Sequence, residues 1–389
     1  MNEALISSPI GVLTTLCAVT SFFFLLETRF RWPFFQYLPP LLFIYAVPVV
    51  LSNTGVIPAA NPIYDGIGSW VLPVFLTIML LDIDVKNAIR VMGTGIFVML
   101  IGSAGVVLGA PVAYMIVKHG LGPEAWKGFG ALAGSWIGGT GNMAAVAEGL
   151  DTPSSYFGLA AISDNLVYVV WLPIMLGSKN VAARFHRFTR VGEDRLERME
   201  TAANELEKKS NEVALHHVLY LAFIGLTVAW FATALADRLP VILPVLSTGT
   251  WKILIVTTAG IALSFTPARK IPGSHPLAMA LVYLFVARMG ARAELSGLAQ
   301  APWFVAGAFI WIFLHGLFVV IGARIFRVDV HTAAIASAAN IGGIASAPIV
   351  AAYHRKTLIP VSILMALIGY AVGNYLAILA AQLCFFVGR

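Results

Sequence analysis

"GSWIGGTGNMAAVAEG", residues 134–149, packs five glycines with Ser135, Thr140, Asn142 and Glu148 into sixteen positions. Long apolar runs flank it, so it should sit at membrane depth, yet it is poorly suited to an uninterrupted spanning helix. Each interior glycine costs a helix about 1 kcal/mol relative to alanine. A second stretch of the same character, "HTAAIASAANIGGIASAPIVAAY", occupies 331–353. The two share "IGG", at 137–139 and 341–343, and each is followed by one long apolar segment.

The rest of the chain supplies the membrane. Of 389 residues, 59% are hydrophobic and 11% charged, with a mean hydropathy of +0.85. Soluble domains keep roughly a quarter of their residues charged, so this is an integral membrane protein placed in a lipid bilayer. The net charge of +6 resides in loops between apolar runs. It is not gathered into a basic patch interleaved with aromatics, which argues against a nucleic-acid partner. Cys17 and Cys384 both fall inside apolar segments and offer neither a disulfide framework nor a thiolate metal site. The start of the sequence has no basic region ahead of its apolar run and reads as a first span rather than a cleavable signal.

Segments long enough to span lie near 8–26, 38–55, 67–82, 91–117, 156–177, 216–236, 243–265, 275–291, 301–325 and 357–386. The polar stretch 178–215, with mixed charges at helical spacing, reads as a solvated cytoplasmic linker. If 131–151 and 331–353 also crossed, the basic loops would not sort to one side. Treated as re-entrant hairpins, they bring 18 of the 25 Lys and Arg residues inside, in the loops at 27–32, 82–90, 178–215, 266–272, 324–330 and 354–357. Both termini then lie outside. The expected fold is all-α: about ten transmembrane helices plus two re-entrant hairpins. A first repeat, 1–177, and a second, 216–389, each hold five spans and one hairpin, and an odd number of spans inverts the second relative to the first.

Non-helical backbone at membrane depth is tolerated only when buried in protein or lining a wet cavity. Two hairpin tips meeting there would offer half-helix N-termini and free carbonyls to a small solute or ion. The expected substrate contacts are Ser135, Gly138, Gly139, Thr140, Gly141 and Asn142 in the first hairpin, with Asn340, Gly342, Gly343 and Ser346 in the second. Asp164, mid-span in "AAISDNLVYVVWLPIM", costs about 2.5–3.5 kcal/mol to insert at a helix centre. It is expected to face the interior and to couple transport to an ion, together with Ser163, Asn165 and Asn374, with sodium near Asp164, Asn142 and Asn340. Glu148 reads as a solvated interfacial carboxylate, Asp82 and Asp84 as span-end residues, and Arg288 as a side chain snorkelling to the interface.

The stretches 134–176 and 331–384 resemble the bacterial and plastid membrane family catalogued as domain of unknown function 819, the YjcL-like proteins. That family is similar to sodium-coupled glutamate and 2-hydroxycarboxylate carriers. The resemblance implies an elevator-type transporter, a homodimer, in which a domain holding both hairpins slides against a scaffold. Contacts would fall on Gly138–Asn142 and Asn340–Ser346. This chain lacks the arginine at the second tip that would clamp a carboxylate, Arg355 lying just beyond it.

The function expected is therefore an ion-coupled secondary transporter, a symporter with Na+ or H+ as coupling ion and no other cofactor. Its substrate would be a small polar, anionic organic solute. The alternative is proton-coupled transport, or export, of a peptide-like or cell-wall-derived solute. An enzyme is not expected: Ser135 in "GSWIG" is off the GxSxG spacing and no histidine accompanies the Gly-rich tips. Hairpins closing from both sides also argue against a channel.

Overall fold

The computed structural model describes residues 4–30, 40–192, 195–204, 212–293 and 299–389. Arg31 and Trp32 of the first basic loop, the start of the 38–55 span, and residues 193–194 and 205–211 of the linker lie outside these. The described residues are predominantly helical, and none of them forms a β-strand. In chain order the longer helices are α1 (Pro9–Leu25), α2 (Pro40–Asn53), α3 (Pro62–Leu81), α4 (Val85–Met92), α5 (Gly95–Val117), α6 (Ala125–Gly149) and α7 (Ser154–Gly177). There follow α8 (Ala182–Thr189), α9 (Arg195–Asn204), α10 (Leu215–Ala236), α11 (Thr248–Ser264), α12 (Ser274–Ala291), α13 (Ala301–Ile325), α14 (Val330–Ile341), α15 (Gly343–His354) and α16 (Ile359–Gly388).

Eight of these, among the described residues, are long and apolar enough to cross a bilayer: α1, α3, α5, α7, α10, α12, α13 and α16. The remaining two of the ten expected spans are the apolar helix α2, 14 residues long, and α11, 17 residues long with Lys252 in its first turn. Neither Gly-rich segment is among the eight.

Both Gly-rich segments double back. Helix α6 is broken at Gly139, whose φ of 72° and ψ of −175° suit glycine. A methyl group at Gly134 would sit 2.9 Å from the Asn142 carbonyl oxygen. Eight residues of unbroken helix would hold those positions about 12 Å apart. The second segment turns at Gly343, φ 56°, and its far ends are joined by a 2.9 Å hydrogen bond between His331 Nδ1 and His354 Nδ1. We call these helical pairs hairpin 1 (α6) and hairpin 2 (α14 and α15).

Helices α1, α2, α3, α10, α11 and α12 pack mainly on one another, with α3 at the centre of the group. A second bundle gathers α5, both hairpins, α7, α13 and α16, in which α16 lies along hairpin 1 and α13 along α5. Elements from the same positions in the two halves of the chain thus enter the same bundle. The linker departs from the solvated helix expected. Met199 on α9 is buried, Glu200 accepts from Arg355 and Thr357, and His186 Nε2 accepts from the Val330 amide, so α8 and α9 each touch the open end of hairpin 2 on one side. Apolar positions among its charges supply the docking face.

Gly139→Ala should lower the thermal midpoint of the purified protein, since alanine would carry a strain of about 1–3 kcal/mol at that φ and ψ. Gly177→Ala, at a helical position with nothing within 4 Å of the added methyl, should not lower it.

Candidate binding site

The two turns meet. A methyl at Gly343 would sit 3.8 Å from the Gly139 Cα, and the Tyr370 ring of α16 lies under both turns. Its Cε1 is 3.1 Å from the position of a methyl on Gly139 and 3.6 Å from that on Gly343. The Tyr370 carbonyl also accepts a 3.0 Å hydrogen bond from Asn142 Nδ2. Gly138 and Gly373 make room for that amide, because a Cβ on either would overlap it. Tyr370, a single residue of α16, therefore seats both tips.

Asn142 and Asn374 are fully buried, and the side-chain oxygen of each has no hydrogen-bond partner. Asn374 spends its Nδ2 on Thr257 Oγ1 of α11 at 2.8 Å, across the boundary between the two bundles. Beside it Tyr375 OH meets Thr258 Oγ1 at 2.7 Å. Gly141 packs on Met79 of α3, which brings hairpin 1 against the first bundle.

Asp164 lies against the first limb of hairpin 1. Its Oδ2 accepts from Ser135 Oγ at 2.8 Å and its Oδ1 from Trp136 Nε1 at 2.9 Å. One turn further along α7, the Tyr168 ring lies beside Gly342 and Ser346 at the second tip. Ser163 is buried next to Asp164 without a partner for its hydroxyl, while Asn165 turns back to bond the Ala161 carbonyl of its own helix at 2.8 Å. Gly139, Thr140, Gly342 and Ser346, like Asp164, are only partly buried, so protein does not fully enclose the meeting point of the tips.

Asn340 does not join this group. Its Oδ1 accepts from Ser103 Oγ at 3.0 Å and its Nδ2 donates to the Met99 carbonyl at 2.9 Å, which ties hairpin 2 to α5. Its amide is thus fully engaged within the protein. Nearby, His315 on α13 bridges the Gly102 carbonyl and Ser337 Oγ, which also accepts from Trp171 Nε1 at 2.9 Å. This buried chain fixes α13, hairpin 2 and α7 to one another.

Two sequence expectations are corrected. Arg288 does not snorkel and Glu148 is not merely solvated. The Arg288 guanidinium is buried and holds Glu148 with two bonds, Nη1 to Oε2 at 2.8 Å and Nη2 to Oε1 at 3.2 Å, while its Nε donates to the Tyr64 carbonyl. A planar fork facing a carboxylate satisfies both charges inside the protein, which a snorkelling side chain could not do. The pair joins the base of hairpin 1 to α12 and α3. The Gly149 carbonyl beside it accepts from Ser247 Oγ and Thr250 Oγ1 of α11. Asp82 and Asp84 remain span-end residues, Asp82 accepting from Ser274 Oγ at 2.7 Å and Asp84 pairing with Arg269 at 2.7 Å.

Trp136 and Tyr168 did not stand out in the sequence, although Trp136 is next to Ser135 and Tyr168 is four residues past Asp164. An indole N–H inside a Gly-rich tip and a phenol one turn from a lone acid are the signals that could have flagged them.

Eight spanning-length helices enclosing buried polar hairpins define a multi-pass membrane protein. The chain belongs to the family described as protein of unknown function DUF819, whose sequence profile matches residues 14–385. It is 27% identical over 368 residues, 90% of each chain, to a Bacillus subtilis (strain 168) protein named uncharacterized membrane protein YjcL.

Glu148→Ala should destabilise the protein strongly, because a buried charge stripped of its partner costs about 3–5 kcal/mol. Adding Arg288→Met should restore part of the loss. Thermal unfolding of the single and double variants measures both effects.

Proposed function

We propose that the protein is a cation-coupled secondary transporter of a small polar organic solute, with its site where the two hairpin tips meet. The observation that carries this reading is the tip-to-tip contact of two helical hairpins over Tyr370, with partly buried polar groups opening on it. In this reading the hairpins are re-entrant, entering from opposite sides, and the two halves of the chain are inverted repeats. The sorting of matching elements from each half into the same bundle supports it. An elevator motion follows: the bundle carrying the hairpins slides against the bundle centred on α3, which would also form the homodimer contact.

Coupling to a cation is supported by the two buried amide oxygens of Asn142 and Asn374 that lack partners. Amide oxygens can only accept, and neutral oxygen ligands suit a hard cation such as sodium. Those two side chains would hold the ion. An occupied site there would bridge hairpin 1 and α16, and so join ion binding to the closed position of the tip.

Two measurements test the reading. Single cysteines at Asp151 and Tyr353, at the open ends of the two hairpins, should label from opposite faces of sealed vesicles; labelling from the same face would sink the inverted repeat. Sodium, and not potassium at equal ionic strength, should raise the thermal midpoint of the purified protein, and Asn142→Ala or Asn374→Ala should abolish that rise. Equal stabilisation by both salts would rule out sodium as the coupling ion.

A further inference from the structure

Among the described residues, Asp164 is an acid without a positive partner. Asp164 is a carboxylic residue in the middle of a spanning helix, partly accessible, and no Lys, Arg or His forms an ion pair with it among the described residues. The side chain at Oδ1 is Trp136, whose indole nitrogen can only donate. The buried side-chain atoms that lack hydrogen-bond partners are all oxygens. Among them are the amide oxygens Asn142 Oδ1 and Asn374 Oδ1 and the Ser163 hydroxyl next to Asp164 in the chain, while the Tyr168 hydroxyl faces Ser346. The site lacks positive charge, and its Asp164, Asn142 and Asn374 oxygens can only accept, as a carboxylate and amides do, while the Ser163 and Tyr168 hydroxyls can donate or accept.

The cations that could have supplied it are engaged elsewhere. Arg288 is closed on Glu148, Lys252 donates to the Ser69 carbonyl, Lys118 to the Val387 carbonyl, and Arg355 pairs with Glu200. Neither hairpin carries a basic residue at its tip. An anionic head group would therefore enter a place with an acid and several unfilled oxygens and no counter-charge. In a water-poor setting that costs more than any single hydrogen bond returns.

We propose that the solute carries a protonated amine, and that its ammonium group binds Asp164, with the Tyr168 hydroxyl as a second acceptor and Ser346 beside it. This rests on the transporter reading only for the word substrate; the binding chemistry stands without it. An ammonium fits this position better than a metal ion does. Its three N–H groups are satisfied by one carboxylate and a hydroxyl or two. A hard metal cation wants several oxygen ligands around it, whereas the flank of Asp164 is already taken by the Trp136 N–H and the Ser135 hydroxyl. The Asn142 and Asn374 amide oxygens, on hairpin 1 and α16, remain for the coupling ion. Asp164 and Tyr168 stand one turn apart on the same face of α7. A single head group can reach both, with the rest of the solute lying toward the partly buried tip residues Thr140 and Ser346.

The test is thermal stabilisation of the purified full chain at fixed sodium and ionic strength by three amines, ethanolamine, glycinamide and glucosamine. Each is compared with an uncharged counterpart, ethylene glycol, glycolamide and glucose, and with the anions glycolate and gluconate. At least one amine should stabilise saturably while its uncharged counterpart does not. Asp164→Asn should abolish that effect and leave sodium stabilisation in place. Tyr168→Phe, which keeps the ring and the fold, should weaken it about tenfold, the loss of one hydrogen bond to a charged group. Stabilisation by the anions alone would overturn the proposal, as would amine stabilisation unchanged in both variants, or none by any amine. Amine binding through Asp164 without gradient-driven accumulation in proteoliposomes would instead overturn the transporter reading and leave the ammonium site standing.

Discussion

Two turns of non-helical backbone meet inside this protein, and the rest of the architecture follows from the need to hide them. Peptide groups outside a helix cannot be left facing hydrocarbon, where each unsatisfied group costs several kcal/mol. Gly139 and Gly343 make the turns, Tyr370 floors both, and the carbonyl of that same residue takes the Asn142 amide. One residue of α16 thus positions both tips. That helix is also the longest among the described residues, at 30 residues, and lies along hairpin 1. A bulkier residue at Gly138 or Gly373 would displace the Asn142 amide and with it the first turn.

The bonds that hold the tips differ from those that cross between the bundles. Within the hairpin bundle the ties are deep and numerous: Asn340 to α5, His315 and Trp171 to Ser337, Asp164 to Ser135 and Trp136. Across the boundary most of the polar links among the described residues are hydroxyl bonds: Thr257 to Asn374, Thr258 to Tyr375, Ser247 and Thr250 to the Gly149 carbonyl, and Tyr45 to the Ser154 carbonyl. Hydroxyls rotate and exchange partners at little cost, and neutral bonds of this kind contribute about 1 kcal/mol each. The exception is the buried Arg288 on the half-buried Glu148, an ion pair at the base of hairpin 1. It is the link whose rupture would be most expensive. Any motion of one bundle past the other must either keep that pair intact or hydrate it.

Much of this was legible in the sequence. Glycine content at 134–149 and 331–353, the repeated "IGG", and the sorting of basic loops each pointed to chain that turns back, and the helices do turn at Gly139 and Gly343. Apolar length alone located the spanning-length helices, because it reports a property of each segment by itself. What the sequence hid are pairings between distant residues. Glu148 and Arg288 are 140 positions apart, and each alone reads as an interfacial charge. Asn340 resembles Asn142 in its small-residue setting, yet Ser103 and Met99 of another helix engage its amide. Which asparagine keeps an unfilled oxygen depends on the packing, and no spacing rule encodes that.

The two intramembrane acids of the hairpin bundle show the same principle from opposite sides. Glu148 has an arginine within bidentate reach, and the pair is complete without any ligand. Asp164 has an indole N–H and a hydroxyl, which can stabilise a carboxylate but cannot neutralise it. A folded protein can carry that deficit only if something arrives to fill it: a proton, an inorganic cation or the positive end of a solute. Proton and solute then compete for the same oxygens. On the proposed reading a site built this way would exchange its charge with each loading and release, whereas in the Arg288–Glu148 pair the two charges already answer one another. Under the proposed function the acid without a counter-charge would do the work, while the acid with one ties hairpin 1 to α12.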